Sequence, residues 1–334
     1  EPSPHHPQPA VRQTTDSPSP THPLGTAVAM PCFNREPKVP ARRMVYVGDA
    51  ERNAEMGFPN NKVVTAQYTV LNFLPVNLFA QFHRVANLYF LLIALLQQIP
   101  GASPLGQGTT AMTLVVVLTF TAIKDAWEDY KRHRSDAEVN SRPILVLRDG
   151  FNAPRPIISR DVAVGDIVRI EDNQFFPADL LLLSTSEPAG MCYIETRNLD
   201  GETNLKERLA MRSTRDVLDS APKLLGLRGE LECEGPNNRI DSFDGSLTLA
   251  GGESQRIDPK NVLLTGCQLK YTKWIYAMVI YTGKHTKLQM QTANEKKIKK
   301  TSDIEKVTNR LIILIFALQI LMCIVSAAGY GIWI

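Results

Sequence analysis

One nine-residue run, Asn198-Leu199-Asp200-Gly201-Glu202-Thr203-Asn204-Leu205-Lys206, gathers residue types suited to chemistry. Asp-Gly is a turn signal, and it places the Glu202 carboxylate and the Thr203 hydroxyl at an exposed loop tip next to Asp200. A carboxylate on such a loop can orient a water and take its proton while the water attacks a phosphorylated or acylated partner. A bare Asp-Gly-Glu-Thr is more often a plain surface turn. The chain holds no Gly-x-x-x-x-Gly-Lys-Ser/Thr phosphate loop, no nucleophile elbow and no His-based dyad near it. If Glu202 acts, the group it acts on comes from elsewhere.

A second set of polar residues stands out by its surroundings. Asn87 lies near the start, and Gln97 and Gln98 at the end, of an apolar run. At the edge of a membrane such side chains need a partner or the headgroup level. Two readings stay open for them, contact with water and contact with a lipid headgroup.

These residues depend on elements that must hold them. The 334 residues include 37 Lys and Arg and 34 Asp and Glu, and every one lies outside two windows, Val85–Ile123 and Leu311–Ile334. Windows of that length without a charge mark a membrane protein. Leu311–Ile334 extends about 36 Å as a helix, against a hydrocarbon core of about 30 Å. Ser302-Asp303-Ile304-Glu305 ahead of it fits a capping box. Val85–Ile123 divides into Val85–Ile99 and Thr110–Ile123 around Pro100-Gly101-Ala102-Ser103-Pro104-Leu105-Gly106, which predicts a helical hairpin. Its spans gain length from Leu78–Arg84 and Lys124–Trp127. The hairpin turn carries no Lys or Arg, whereas Lys131-Arg132-His133-Arg134 and Lys296–Lys300 flank the opposite ends. The positive-inside rule then places the N-terminus and residues 124–310 in the cytosol and the turn outside. The basic clusters suit two roles, fixing topology and meeting anionic headgroups.

Between the second and third spans, short β-rich runs alternate with turn signals: Ile144–Leu147 before Arg148-Asp149-Gly150, then Val162–Ile170, Leu180–Leu183, Cys192–Glu195, Val262–Leu264 and Trp274–Tyr281. This pattern predicts a small β-barrel or sandwich-like domain, with Gly235–Pro259 as loop. The first forty residues hold 10 of the 22 prolines and three of the six histidines, a composition expected to stay disordered. Five separated cysteines without a C-x-x-C pair argue against a zinc site and a disulfide framework. A net charge of +3 gives no ground for a nucleic-acid partner. The expected organisation is a disordered proline-rich tail over residues 1–60, a cytosolic strand and interfacial helix over 61–84, and the hairpin over 85–127. A cytosolic β-rich domain follows over 128–300, then a third transmembrane helix over 301–334.

Several stretches together resemble the type IV P-type ATPases, the phospholipid flippases. Pro177-Ala178-Asp179-Leu180 and Cys192–Lys206 are similar to their actuator domain, where Asp-Gly-Glu-Thr replaces the Thr-Gly-Glu-Ser of other P-type pumps. Phe73-Leu74-Pro75 and Gln81–Asn87 resemble the approach to the first span, and Ile93–Pro100 its exit in the aminophospholipid-transporting branch. Ala163–Val168, Leu231–Glu234 and Val279–Lys287 continue the likeness, which covers residues 60–334.

The resemblance implies a distorted β-barrel or jelly-roll actuator and a cycle driven by ATP and Mg2+, both held by domains this sequence lacks. In that cycle Glu202 activates the water that releases an aspartyl phosphate, with Asp200, Gly201 and Thr203 shaping the loop. Gln97, Gln98 and Asn87 become headgroup-binding candidates, for phosphatidylserine first and phosphatidylethanolamine second, moved toward the cytosolic leaflet. A two-span glycosylated β-subunit is the implied partner, in Golgi, endosomal or plasma membrane. The absent Asp-Lys-Thr-Gly-Thr motif, and an end inside an apolar run, lead us to expect an N-terminal fragment. The competing reading is a membrane-anchored β-domain serving as an adaptor, with Glu202 a surface residue.

Overall fold

The computed structural model describes residues 41–99, 108–148, 153–215, 221–297 and 303–333. Its elements begin with β1 (Arg42–Val47), α1 (Ala50–Glu55), α2 (Phe73–Phe82), α3 (Val85–Leu96) and α4 (Thr109–Ser141). Next come β2 (Pro143–Leu147), β3 (Arg155–Ile158), β4 (Ile167–Glu171), β5 (Asp179–Thr185), β6 (Met191–Glu195), α5 (Arg197–Asp200) and β7 (Leu205–Leu209). After α6 (Arg212–Arg215) and α7 (Ala221–Leu225) run β8 (Gly229–Glu234), β9 (Gly245–Leu249), β10 (Ser254–Arg256), β11 (Val262–Leu263), β12 (Gln268–Lys270) and β13 (Trp274–Tyr281). The chain leaves through α8 (Lys287–Lys297) into α9 (Asp303–Trp333).

The core lies around β13. Ile275 to Tyr281 are all buried, and β13 sits between β5 and β4 in an antiparallel sheet ordered β11-β5-β13-β4-β2-β3. Asp179 through Ser184 of β5 are likewise buried, so this sheet is covered on both faces and reads as a continuous apolar run instead of an alternating one. Two smaller sheets, β12-β6-β7 and β1-β8-β9-β10, complete the domain. The β-rich domain expected from sequence is therefore present, but as three open sheets; among the described residues no barrel closes.

Two polar anchors lie in this apolar interior. The buried Asp179 carboxylate accepts from Thr265 N–H (2.8 Å), Thr265 Oγ1 (2.7 Å) and Lys287 N–H (2.7 Å). Burial pushes its pKa up, against the lowering effect of those bonds. The buried Lys287 ammonium reaches Glu234 Oε1 at 2.7 Å, Arg239 O at 2.7 Å, Ser242 O at 2.9 Å and Asn237 Oδ1 at 3.1 Å, tying the loop after β8 to the core.

Among the described residues two helices, α4 and α9, are long and apolar enough to cross a membrane. The pair α2 and α3 qualifies only jointly and is bent by 90°. α3 alone is about 18 Å long. The break falls at His83-Arg84, where Arg84 is extended and Asn87 Nδ2 donates to Gln81 O at 2.8 Å. α3 packs against α4 and α9, and Tyr89 Oη donates to Gln319 Oε1 at 3.1 Å, giving the one glutamine of the third apolar run a partner.

The extended segment 59–69 joins the β-rich domain to α4 without a partner strand. Asn61, buried, donates to Ser159 O and Pro177 O and accepts from Gly283 N–H. From Val63 onward the partners switch to α4: Asn140 exchanges two 2.8 Å bonds with the Val63 backbone, and Asp136 accepts from the N–H of Thr65 and Ala66 and from Thr65 Oγ1. Asp129 accepts from the N–H of Gln67 and Tyr68, at 2.7 and 3.3 Å.

Several expected boundaries move. Residues 42–57 form β1 and α1 instead of tail, because β1 pairs with β8 nearly 190 residues later, a partner no local pattern reveals. α4 runs on to Ser141, beyond the hairpin limit set at 127, since its polar face is occupied by segment 63–69. β4 starts at Ile167 and not Val162, after a turn at Gly165 (φ +88°) closed by Ala163 N–H to Asp166 Oδ2. β9 and β10 form a hairpin inside the stretch expected to be loop. Residues 1–40, the Pro100–Gly106 turn, Asp149-Gly150, most of Lys296–Lys300 and Ser302 lie outside the described residues.

Two predictions test these anchors. Asp136→Ala removes three bonds to segment 63–69, so trypsin cleavage after the exposed Lys62 should accelerate at least about tenfold; an unchanged rate would contradict the clamp. Lys287→Met removes four bonds from the loop after β8 and leaves the Glu234 carboxylate, whose side chain is only 12% exposed, with the exposed Arg239 at 3.6 Å, and should cost about 3 kcal/mol, read as a lower thermal midpoint.

Candidate functional site

β6 and β7 pair in register from Met191↔Leu209 to Glu195↔Leu205, and the run singled out from sequence is the loop that joins them. Ile194 and Leu269 are buried where β6 meets β12, so the hairpin stands on a rigid base. The loop opens with one helical turn, α5, ended by Gly201 in the left-handed region (φ +77°) with its N–H on Arg197 O at 3.1 Å. A Cβ at Gly201 would meet nothing within 4 Å, so the glycine is required by backbone conformation and not by space.

Asp200 organises the tip. Its carboxylate accepts from the buried Thr196 hydroxyl at 3.0 Å, from Glu202 N–H at 2.9 Å and from Lys206 Nζ at 2.6 Å. Burial acts to raise its pKa, and the bonds from Lys206, Glu202 N–H and Thr196 outweigh it, holding Asp200 below the usual carboxylate range. Lys206 also reaches Glu202 Oε2 at 3.0 Å, and its two carboxylate partners raise its pKa. Glu202 projects outward with a side chain 58% exposed, and Thr203 is exposed beside it. The four residues picked from sequence are thus together on one tip. Lys206 was within the quoted run but given no role; its spacing of four residues from Glu202 was the available signal.

The membrane candidates do not converge. Gln97 caps α3, is 6% exposed, and its Oε1 has no hydrogen-bond partner among the described residues. Gln98 faces outward, with Nε2 3.4 Å from Ala94 O. Asn87 lies ten residues from Gln97, about 15 Å along the helix, where it serves the α2–α3 bend. A neighbouring group escaped the sequence reading: Asn77 Nδ2 donates to Asp125 Oδ2 at 2.8 Å, and Gln81 Nε2 to Asn77 Oδ1 at 2.5 Å. Asp125, Asp129, His133, Asp136 and Asn140 recur every three or four residues along α4, a polar stripe visible in the sequence once the helix is continued past residue 127.

Among the described residues no three His, Cys, Asp or Glu side chains gather around a common point. A cavity of about 830 Å³ is bordered by Lys62, Arg148 and Arg160, and the Arg148 guanidinium is committed to Asp166 at 2.8 and 2.6 Å. Glu202 is a carboxylate at an exposed tip, paired with Lys206.

A family model described as phospholipid-translocating ATPase, N-terminal, matches residues 45–111. The chain is 45% identical over 291 residues to phospholipid-transporting ATPase ID of Homo sapiens, covering 87% of this chain and 24% of that protein. It is 42% identical over 291 residues to phospholipid-transporting ATPase FetA of Mus musculus, again 87% of this chain and 24% of the relative. With phospholipid-transporting ATPase 1 of Arabidopsis thaliana it shares 40% identity over 293 residues, 87% of this chain and 25% of the relative. The chain spans about a quarter of the length of these curated relatives. Over that length it belongs to the phospholipid-transporting, type IV P-type ATPase family.

Proposed function

We propose that this chain supplies the actuator domain and first membrane spans of an ATP-driven phospholipid flippase. The observation that carries this reading is Glu202, held by Asp200 at the exposed tip of a rigid hairpin, in a chain 45% identical to a phospholipid-transporting ATPase. The actuator brings that tip to an aspartyl phosphate on another domain of the full-length protein. Water then attacks phosphorus, the aspartyl oxygen leaves, and Glu202 takes the water's proton. Asp200 fixes the backbone of Glu202, Gly201 provides the reversal that exposes it, and Thr203 lines the tip. ATP and Mg2+ are bound by the domains that carry the aspartate.

The transported lipids are aminophospholipids, phosphatidylserine before phosphatidylethanolamine, moved from the outer or lumenal leaflet to the cytosolic one. Gln97 and Gln98 meet the headgroup on the outer side, and Asn87 lies on the cytosolic side. Support comes from the buried Oε1 of Gln97, which has no partner among the described residues and is an acceptor for a headgroup ammonium. The N-terminus and the β-rich domain are cytosolic, the protein is multi-pass in Golgi, endosomal or plasma membrane, and its partner is a two-span glycosylated β-subunit.

In the full-length protein, Glu202→Gln should form the phosphoenzyme and slow its decay by about a hundredfold or more; decay at the parental rate would remove Glu202 from the chemistry. Replacing Gln97 and Gln98 by alanine should change which phospholipid best stimulates ATP hydrolysis. An unaltered lipid preference would leave the two glutamines as ordinary edge residues.

A further inference from the structure

Glu202 is tethered by more than its own loop. Lys206 belongs to β7, where it pairs with the buried Ile194, so its backbone is fixed by the sheet while the tip is not. Its ammonium lies 2.6 Å from Asp200 Oδ2 and 3.0 Å from Glu202 Oε2, bridging two carboxylates that would repel each other across Gly201. The nearby cations are otherwise engaged: Arg197 pairs with Glu195 and Arg208 Nε donates to Val262 O. Among the described ion pairs, Lys206 is the cation on Glu202. A single exposed pair would be a minor surface contact. Here the same ammonium also binds the carboxylate that holds the Glu202 N–H, so side chain and backbone of Glu202 are fixed through one group.

We propose that Lys206 is a positioning residue for Glu202, engaging Oε2 so that Oε1 points from the tip toward the attacking water. This rests on the reading of Glu202 as the base in dephosphorylation. As the O–P bond to water forms and the bond to the aspartyl oxygen breaks, the proton moves to Oε1. Lys206 stays with Asp200 throughout and transfers nothing.

The test is phosphoenzyme decay after an ATP chase in the full-length protein, for Glu202→Gln, Lys206→Met, Lys206→Arg and the Glu202→Gln/Lys206→Met double variant. Lys206→Met should slow decay about tenfold or more, and Lys206→Arg, which keeps a cation able to bridge both carboxylates, should restore it to near the parental rate. The double variant should be no slower than Glu202→Gln alone, because Lys206 acts through Glu202. Parental decay in Lys206→Met, or slow decay in Lys206→Arg, overturns the proposal, as does a double variant slowed by the product of the two single effects. Should Lys206→Met yield too little phosphoenzyme to follow, Lys206→Gln takes its place under the same criterion. Parental decay in Glu202→Gln instead fells the reading beneath it.

Discussion

The structure depends on how segment 59–69 satisfies its backbone. An extended stretch with no partner strand would leave its N–H groups to water or unpaired. Here α4 supplies acceptors from side chains: two carboxylates and one carboxamide on a single helical stripe take the donors of Val63, Thr65, Ala66, Gln67 and Tyr68. His133 adds a contact to Tyr68 O at 2.9 Å and lies 3.4 Å from Asp129. At its other end the segment is held by Asn61 and by Thr282 Oγ1 on Pro59 O. One strip of backbone therefore ties the β-rich domain to a helix able to cross a membrane. Bonds to carboxylates are stronger than neutral ones, and Asn77 on Asp125 extends the connection from α4 to α2.

The same division of labour recurs at the hairpin of β6 and β7. Its base is rigid because Cys192 and Ile194 are buried and β6 is paired on both sides. Its tip is exposed because Gly201 adopts a conformation closed to most residues and, among the described ion pairs, Glu202 is reached from outside its loop by Lys206 of β7 alone. A reacting carboxylate needs both properties, precise support and exposure to a partner. Burial serves the opposite purpose for Cys192 and Cys267, whose thiols are pushed up to about 12 and lie too deep and too protonated to react.

Much of this was legible in the residues, for identifiable reasons. β13 was found to the residue because Trp274–Tyr281 is an unbroken β-prone run bounded by turns. Asp200-Gly201 announced its own turn. Two of the failures come from dependence on distant partners. β1 is a strand because β8 lies beside it, and α4 extends because segment 63–69 covers its polar face. α2 and α3 break without proline or glycine, at a bend that only Asn87 and Gln81 explain. The tie between Lys206 and Asp200 needed the geometry of a helical turn followed by a left-handed glycine, which sequence spacing alone does not define.

The central claim is that Glu202 acts on a phosphate carried by another domain. It is tested most directly by a structure of the full-length protein with a fluoride analogue of the phosphoryl group on the phosphorylated aspartate. The account predicts a Glu202 carboxylate oxygen within about 3 Å of the water in line with that group. A well-ordered in-line water held by other side chains, with Glu202 facing solvent, would contradict it.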